Sequence, residues 1–144
     1  MADGRPALHR RDMTAAADRR RISSGGPWES VAGYSRAIVV GDGCWVAGTT
    51  AAGPDGATQH PGDVAGQARA ALAIIERALA DGGFSLADVV RTRMFVTDMN
   101  DSGAVAAVHG EIFGDIRPAA TLVAVAALMH PSLLVEIEAE ARRG

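Results

Sequence analysis

The sequence predicts a single-domain α+β protein, a mixed β-sheet with two helices packed on one face. Three patterns in its 144 residues predict this. Gly41-Asp42-Gly43 separates two short runs of β-formers, a strong hairpin signal. Two stretches, beginning near Asp63 and Asp101, repeat apolar residues at helical spacing. The C-terminal run alternates apolar residues with glutamates, as a strand with one buried face does.

The elements follow in order. Residues 1–21 hold Arg5, Arg10, Arg11, Arg19, Arg20 and Arg21 against Asp3, Asp12 and Asp18, without apolar periodicity. So polar a stretch buries too little apolar surface to offset its ordering entropy, and it is expected to be a disordered lead segment, with residues 22–144 the folded domain. Ser23-Ser24-Gly25-Gly26-Pro27 is turn chemistry, and Trp28 to Tyr34 leads into the first strand. Ala37–Val40 and Cys44–Gly48 form the hairpin. Thr49 to Gly62 reads as a loop, and Gly48 at its edge and Gly53 within it are assigned turn roles.

Asp63 is the expected N-cap of a helix whose buried stripe is Val64, Ala68, Ala71, Leu72, Ile75 and Leu79 and which Gly82-Gly83 stops. Ser85 and Asp88 predict a short capped turn, and Val89 to Thr97 a strand. Asp101 is the expected cap of a second helix buried through Val105, Val108, Ile112 and Phe113. Strands then follow at Thr121–Leu128 and Leu133–Ala141; in the last, Val135, Ile137, Ala139 and Ala141 share one face and Glu136, Glu138 and Glu140 the other. Two helices cover one side of such a sheet. The opposite side also carries Ala, Val and Leu, and an apolar sheet face without a local cover is expected to be hidden by oligomerisation.

Composition narrows the function. All 14 basic residues are arginine, so a lysine Schiff base and a lysine-headed phosphate loop are excluded. Residues 22–144 carry 8 basic and 14 acidic residues, a formal −6, which argues against nucleic acid as a partner. No run of 18 uncharged apolar residues suggests a membrane span. Cys44 is the single cysteine and is expected in the core, so a disulfide framework is absent and a cytoplasmic location is expected. His9, His60, His109 and His130 lack ligand spacing, so neither a metal nor a cofactor is expected.

Three segments then carry a resemblance: Phe95-Val96-Thr97-Asp98-Met99-Asn100-Asp101, Ile112-Phe113-Gly114-Asp115-Ile116-Arg117-Pro118-Ala119 and Leu134-Val135-Glu136-Ile137-Glu138-Ala139. Together with the helix at 63–81 and the strands around Gly48, they resemble the signature segments of the Rid (YjgF-like) reactive-intermediate deaminase family over about residues 30 to 141. The resemblance implies a chorismate-mutase-like fold and a homotrimer formed through the uncovered sheet face, with small-molecule clefts at the subunit boundaries. It also implies cofactor-free hydrolysis of imino or enamine acids, an arginine gripping the substrate carboxylate, and a tyrosine and a glutamate placing the attacking water.

Residue by residue, Tyr34 matches the tyrosine and Glu136 the glutamate. The family's Arg-Pro-Ala-Arg-Ser stretch reads Arg117-Pro118-Ala119-Ala120-Thr121, so Ala120 stands where the gripping arginine does and Thr121 keeps the polar neighbour. An asparagine often found in the second helix falls near Ala106. Losing a bidentate guanidinium weakens carboxylate binding by on the order of a hundredfold. Ordinary 2-imino acids are therefore not the expected substrates unless Arg36, Arg93 or Arg117 replaces the missing cation; Arg36 shares a face with Tyr34 if that segment is extended. Three functions stay open at this point: a metal-free hydrolytic deaminase, a non-catalytic trimeric metabolite binder, and an RNA-acting protein that the acidic body disfavours.

Overall fold

The computed structural model describes residues 18–144. Gly41 and Asp42 join β2 (Ala37–Val40) to β3 (Gly43–Thr49), and Gly41 takes the positive φ of 55° at the turn. Within the segment expected to be disordered, Arg19–Arg21 are instead ordered: Arg19–Ile22 forms β1, paired antiparallel with β2, because Ile22 is buried opposite Ala37 and the backbone of Arg19–Arg21 completes the ladder. The rest of that segment, up to residue 17, lies outside the described residues.

Asp63 caps α2 (Val64–Asp81), its carboxylate accepting from the Gly66 amide at 3.0 Å. The predicted stripe is buried from Ala68 to Leu79, with Val64 partly buried against the same core, and full burial of Leu72, Ile75 and Leu79 contributes about 1.5–3 kcal/mol each. Ser85 and Asp88 form a capping box ahead of β4 (Val89–Val96). α3 (Ser102–Phe113) buries Val105, Val108 and Phe113. Asp101 does not cap it through its side chain. A 3₁₀ turn at Met99–Asp101 precedes the helix, and Asp98 caps that turn by accepting from the Asn100 amide at 2.9 Å.

The strand expected at Thr121–Leu128 is β5 (Ala119–Ala124), and the last is β6 (Val135–Arg142). The six strands run β1-β2-β3-β6-β4-β5, with β4 and β5 parallel and every other pair antiparallel. The alternation of β6 is as predicted: Val135, Ile137, Ala139 and Ala141 are buried in the core with α2 and α3, and Glu136, Glu138 and Glu140 point to the opposite face. Cys44 is fully buried, and burial pushes its thiol up, away from the reactive thiolate.

Two further features aim the glutamate face. A third helix, α1 (Trp28–Ala32), stands where the sequence suggested a lead into a strand; the left-handed Gly33 (φ 73°) stops it, and Glu29 holds its approach by accepting from the Ser24 hydroxyl (2.8 Å) and the Gly26 amide (3.1 Å). Gln67, fully buried on α2, donates to the carbonyls of His60 (3.2 Å) and Ser132 (2.9 Å) and accepts from the Leu134 amide (2.9 Å). That one amide fastens the segment feeding β6 to the helix layer, and so fixes where Glu136 begins.

Candidate active site

The face away from α2 and α3 can be read from the strand register, since directly paired residues share a side. Glu136 aligns with Phe95 and Val123, Glu138 with Arg93 and Thr121, and Glu140 with Arg91 and Ala119 on one side and Trp45 on the other. Arg93 bridges Glu138 and Glu140 at 2.9 and 3.0 Å, and their hydrogen bonds hold its guanidinium charged. Arg93 is thus committed within the sheet. Arg117 is exposed ahead of β5 in the left-handed region at φ 53°.

Glu136 has a different setting. The pairing of β3 with β6 slips by one residue between Val46 and Thr49, a bulge containing Ala47 and Gly48. The Glu136 carboxylate lies over Gly48: a methyl group there would stand 2.8 Å from Oε1 and 3.0 Å from Cδ. Gly48 is therefore not the loop glycine expected from the sequence; it belongs to a strand, and its missing side chain makes room for the acid. Burial raises the Glu136 carboxyl above its ordinary range, with neighbouring Glu138 raising it further and Arg36 pulling it back.

Arg36 closes the group. Its Nη1 donates to the Gly48 carbonyl and the Thr49 hydroxyl, both at 2.8 Å, and its Nη2 to the Tyr34 hydroxyl at 3.3 Å, with the guanidinium carbon 5.5 Å from the centre of the Tyr34 ring. Tyr34 lies in the loop after Gly33 rather than on a strand, 37% exposed, with its hydroxyl beside the guanidinium. The predicted residues Tyr34 and Glu136 are thus brought together by Arg36, which sequence reasoning named only as a possible substitute, and by Gly48, which it missed. The signal for Gly48 was a glycine inside a run of β-formers, a pattern that marks bulges.

Ala120 and Thr121 fall elsewhere in the chain's own fold. Ala120 pairs with Thr92, which is fully buried on the helix side and meets His109 at 2.8 Å, so Ala120 faces the side opposite to Glu136. Thr121 shares the glutamate face, but on edge strand β5, across β4 from β6. One chain therefore supplies two separate parts: the Glu136, Arg36, Tyr34 and Gly48 group, and the β5 edge. An open trough of about 1120 Å³ runs over the same face, floored by Ile38 and Trp45, walled by α1, and reaching the first part at Tyr34 and Ala47. Among the described residues no three His, Cys, Asp or Glu side chains are grouped to hold a metal ion.

Residues 27–143 match the Endoribonuclease L-PSP family. The chain belongs to that family, which also takes in YjgF and RutC proteins. A crystal structure of a YjgF/YER057c/UK114 family member from Mycobacterium tuberculosis is 49% identical and superposes with a TM-score of 0.79, covering 87% of this chain and 99% of that one. The 2-iminobutanoate/2-iminopropanoate deaminase of Rattus norvegicus is 32% identical over 126 residues, 88% of this chain and 91% of the relative. The 3-aminoacrylate deaminase RutC of Acinetobacter baylyi is 40% identical over 78 residues, 54% of this chain and 61% of the relative. Family membership and the single-domain α+β fold of YjgF proteins, read above from three sequence segments, are thereby shown.

Proposed function

We propose that the protein is a cofactor-free cytoplasmic hydrolase that deaminates imine or enamine metabolites, working as a homotrimer with small-molecule clefts between subunits. The observation that carries this reading is the half-buried Glu136 carboxyl held over Gly48, its affinity for protons raised by burial. A carboxylate raised toward the working pH is suited to accept a proton from water and return it. In the reaction the imine enters protonated at nitrogen, and Glu136 takes a proton from water as the oxygen bonds to the iminium carbon and the C=N π pair moves to nitrogen, giving a neutral carbinolamine. Glu136 then returns that proton to the nitrogen, and ammonia leaves with the C–N bonding pair as the C=O bond forms. The hydroxyl proton passes back to the Glu136 carboxylate, which gives it up to solvent, leaving a carbonyl compound and ammonia. An enamine enters the same sequence after protonation at carbon. The deaminase names carried by two relatives support this choice of chemistry.

The assembly has its own support. Val40, Trp45 and Val123 are each 40% exposed on the glutamate face, and an apolar surface of this kind calls for a cover that α2 and α3, on the opposite side, do not supply. Closure by a second copy would bring a neighbour's residues, the β5 edge with Ala120 and Thr121 among them, toward the Glu136 group. The test is to generate 2-iminobutyrate enzymatically and follow 2-oxobutanoate formation with and without the protein. Acceleration that Glu136→Ala abolishes supports the deaminase. An unchanged rate, with a neutral metabolite raising the melting temperature, replaces catalysis by ligand binding. Sedimentation that gives a stable monomer removes the inter-subunit cleft.

A further inference from the structure

Two loops meet the sheet at its Glu136 end, and a chain of polar side chains joins them. Residues 50–62 continue β3 beyond Gly48 and Thr49, and residues 125–134 lead into β6 just before Glu136. In the first loop Thr58 bridges back to Ala52, and the Gln59 amide donates to the Ala51 carbonyl at 2.8 Å, closing a small turn. Gln67 anchors the second loop to α2 through the Ser132 carbonyl and the Leu134 amide. Thr58 then ties the first loop to the second: its Oγ1 lies 2.5 Å from Ser132 Oγ, which lies 2.7 Å from His130 Nδ1. Thr58 and Ser132 are half-buried, and His130 at the end of the chain is exposed.

The backbone sets the direction of these bonds. The Ser132 amide donates to His130 Nδ1 at 3.1 Å. An amide N–H can only donate, so Nδ1 offers its lone pair and the ring is neutral, with its proton on Nε2. A proton gained from solvent at Nδ1 sets donor against donor. The hydroxyls can turn round, Nδ1 donating to Ser132 and Ser132 to Thr58; the amide cannot, and the repulsion falls on the Ser132 backbone from which Thr58 is held. No neighbouring acid offsets the new charge. Residues 125–134 hold no other charged side chain. On the elements packed against them, Asp55 accepts from the Ala57 amide, Asp63 from the Gly66 amide and Asp98 from the Asn100 amide, while the His60 ring lies over Gly66. Among the described residues His130 makes no ion pair within 4.0 Å.

We propose that His130, through Ser132 and Thr58, is an acid-sensitive clasp that joins the two loops extending the Gly48 and Glu136 strands while its imidazole is neutral, and releases the turn at residues 51–59 when the imidazole takes a proton. The clasp goes beyond the reading of Glu136 as the group that handles water and does not depend on it.

The test is hydrogen exchange of the full-length protein at pH 8 and pH 5, corrected for the intrinsic exchange of an unstructured chain, with protonation of His130 followed by NMR of its ring protons. Relative to α2, protection of residues 51–59 should fall at least tenfold in the parent between the two pH values. His130→Gln, which keeps an acceptor and cannot titrate, should hold its protection within about twofold. Thr58→Val should be loosened at pH 8 already and lose no more at pH 5, and it decides alone if His130→Gln does not fold. Unchanged protection in the parent once the imidazole is protonated overturns the proposal. So does an equal loss in His130→Gln, or a Thr58→Val protein that behaves as the parent. Turnover of 2-iminobutyrate is read separately: acid release without turnover removes the deaminase and leaves the clasp, and turnover with acid-insensitive protection does the reverse.

Discussion

Gly48→Ala perturbs the site with a single methyl group. The backbone of Gly48 lies outside the left-handed region, so alanine adopts it without strain, and no backbone atom stands among the three nearest neighbours of the added carbon. What it meets is Glu136, with Oε1 at 2.8 Å and Cδ at 3.0 Å. Restoring ordinary contact moves the carboxylate by roughly 0.6 Å, which the flexible side chain accomplishes by rotation. Stability should therefore change by no more than about 1 kcal/mol. Catalysis is less forgiving, since a displacement of about 1 Å costs on the order of a hundredfold. Oxobutanoate release from 2-iminobutyrate should accordingly fall by roughly ten- to a hundredfold, with the urea midpoint nearly unchanged. An unaltered rate in a folded Gly48→Ala protein would show that the position of Glu136 does not matter, and the reasoning from the bulge would fail.

Three further outcomes follow from the same contacts. Gln67→Ala removes three buried hydrogen bonds and strands the Leu134 amide, so urea unfolding should show a loss of on the order of 3 kcal/mol. Because the folded state raises the Glu136 carboxyl, its contribution to stability is full below the unfolded value near 4.5 and is lost as pH rises through the folded one. Glu136→Gln should then melt higher than the parent at neutral pH, an advantage that disappears near pH 4 in thermal scans. His109 shifts the opposite way, lowered by burial against Phe113 (ring centroids 4.7 Å apart), so the stability it lends is present above 6.5 and drains as pH falls through the folded value. Melting temperatures between pH 7 and 5 should fall more in the parent than in His109→Gln, which keeps a partner for Thr92.

The parts of the fold that were legible are those where one local rule dominates. Asp63 and the apolar stripe of α2, the Gly41-Asp42 turn, and the alternation from Val135 to Ala141 each follow from a single periodicity or cap. The misreadings have tertiary causes. Arg19–Arg21 are polar enough to read as solvated, yet an edge strand needs only backbone partners, and β2 supplies them. Trp28–Ala32 is too short for a helical period to show, and its boundary is set by Gly33. In the candidate site, Glu136 and Tyr34 were singled out because their segments resemble a known pattern. The role of Gly48 was hidden because it depends on a bulge between strands some ninety residues apart in sequence. Ala120 was named because it stands where the resemblance puts the gripping arginine; the register of β4 with both β5 and β6 puts it and Glu136 on opposite faces of one chain.

The most direct measurement is the rate of oxobutanoate release from freshly generated 2-iminobutyrate by the parent protein and by Glu136→Gln, which preserves the shape of the side chain and removes its charge. The parent should accelerate release well above the spontaneous rate, and the variant, folded and of unchanged assembly, should lose at least a hundredfold of that acceleration. Equal acceleration by both proteins would contradict the assignment of water handling to Glu136.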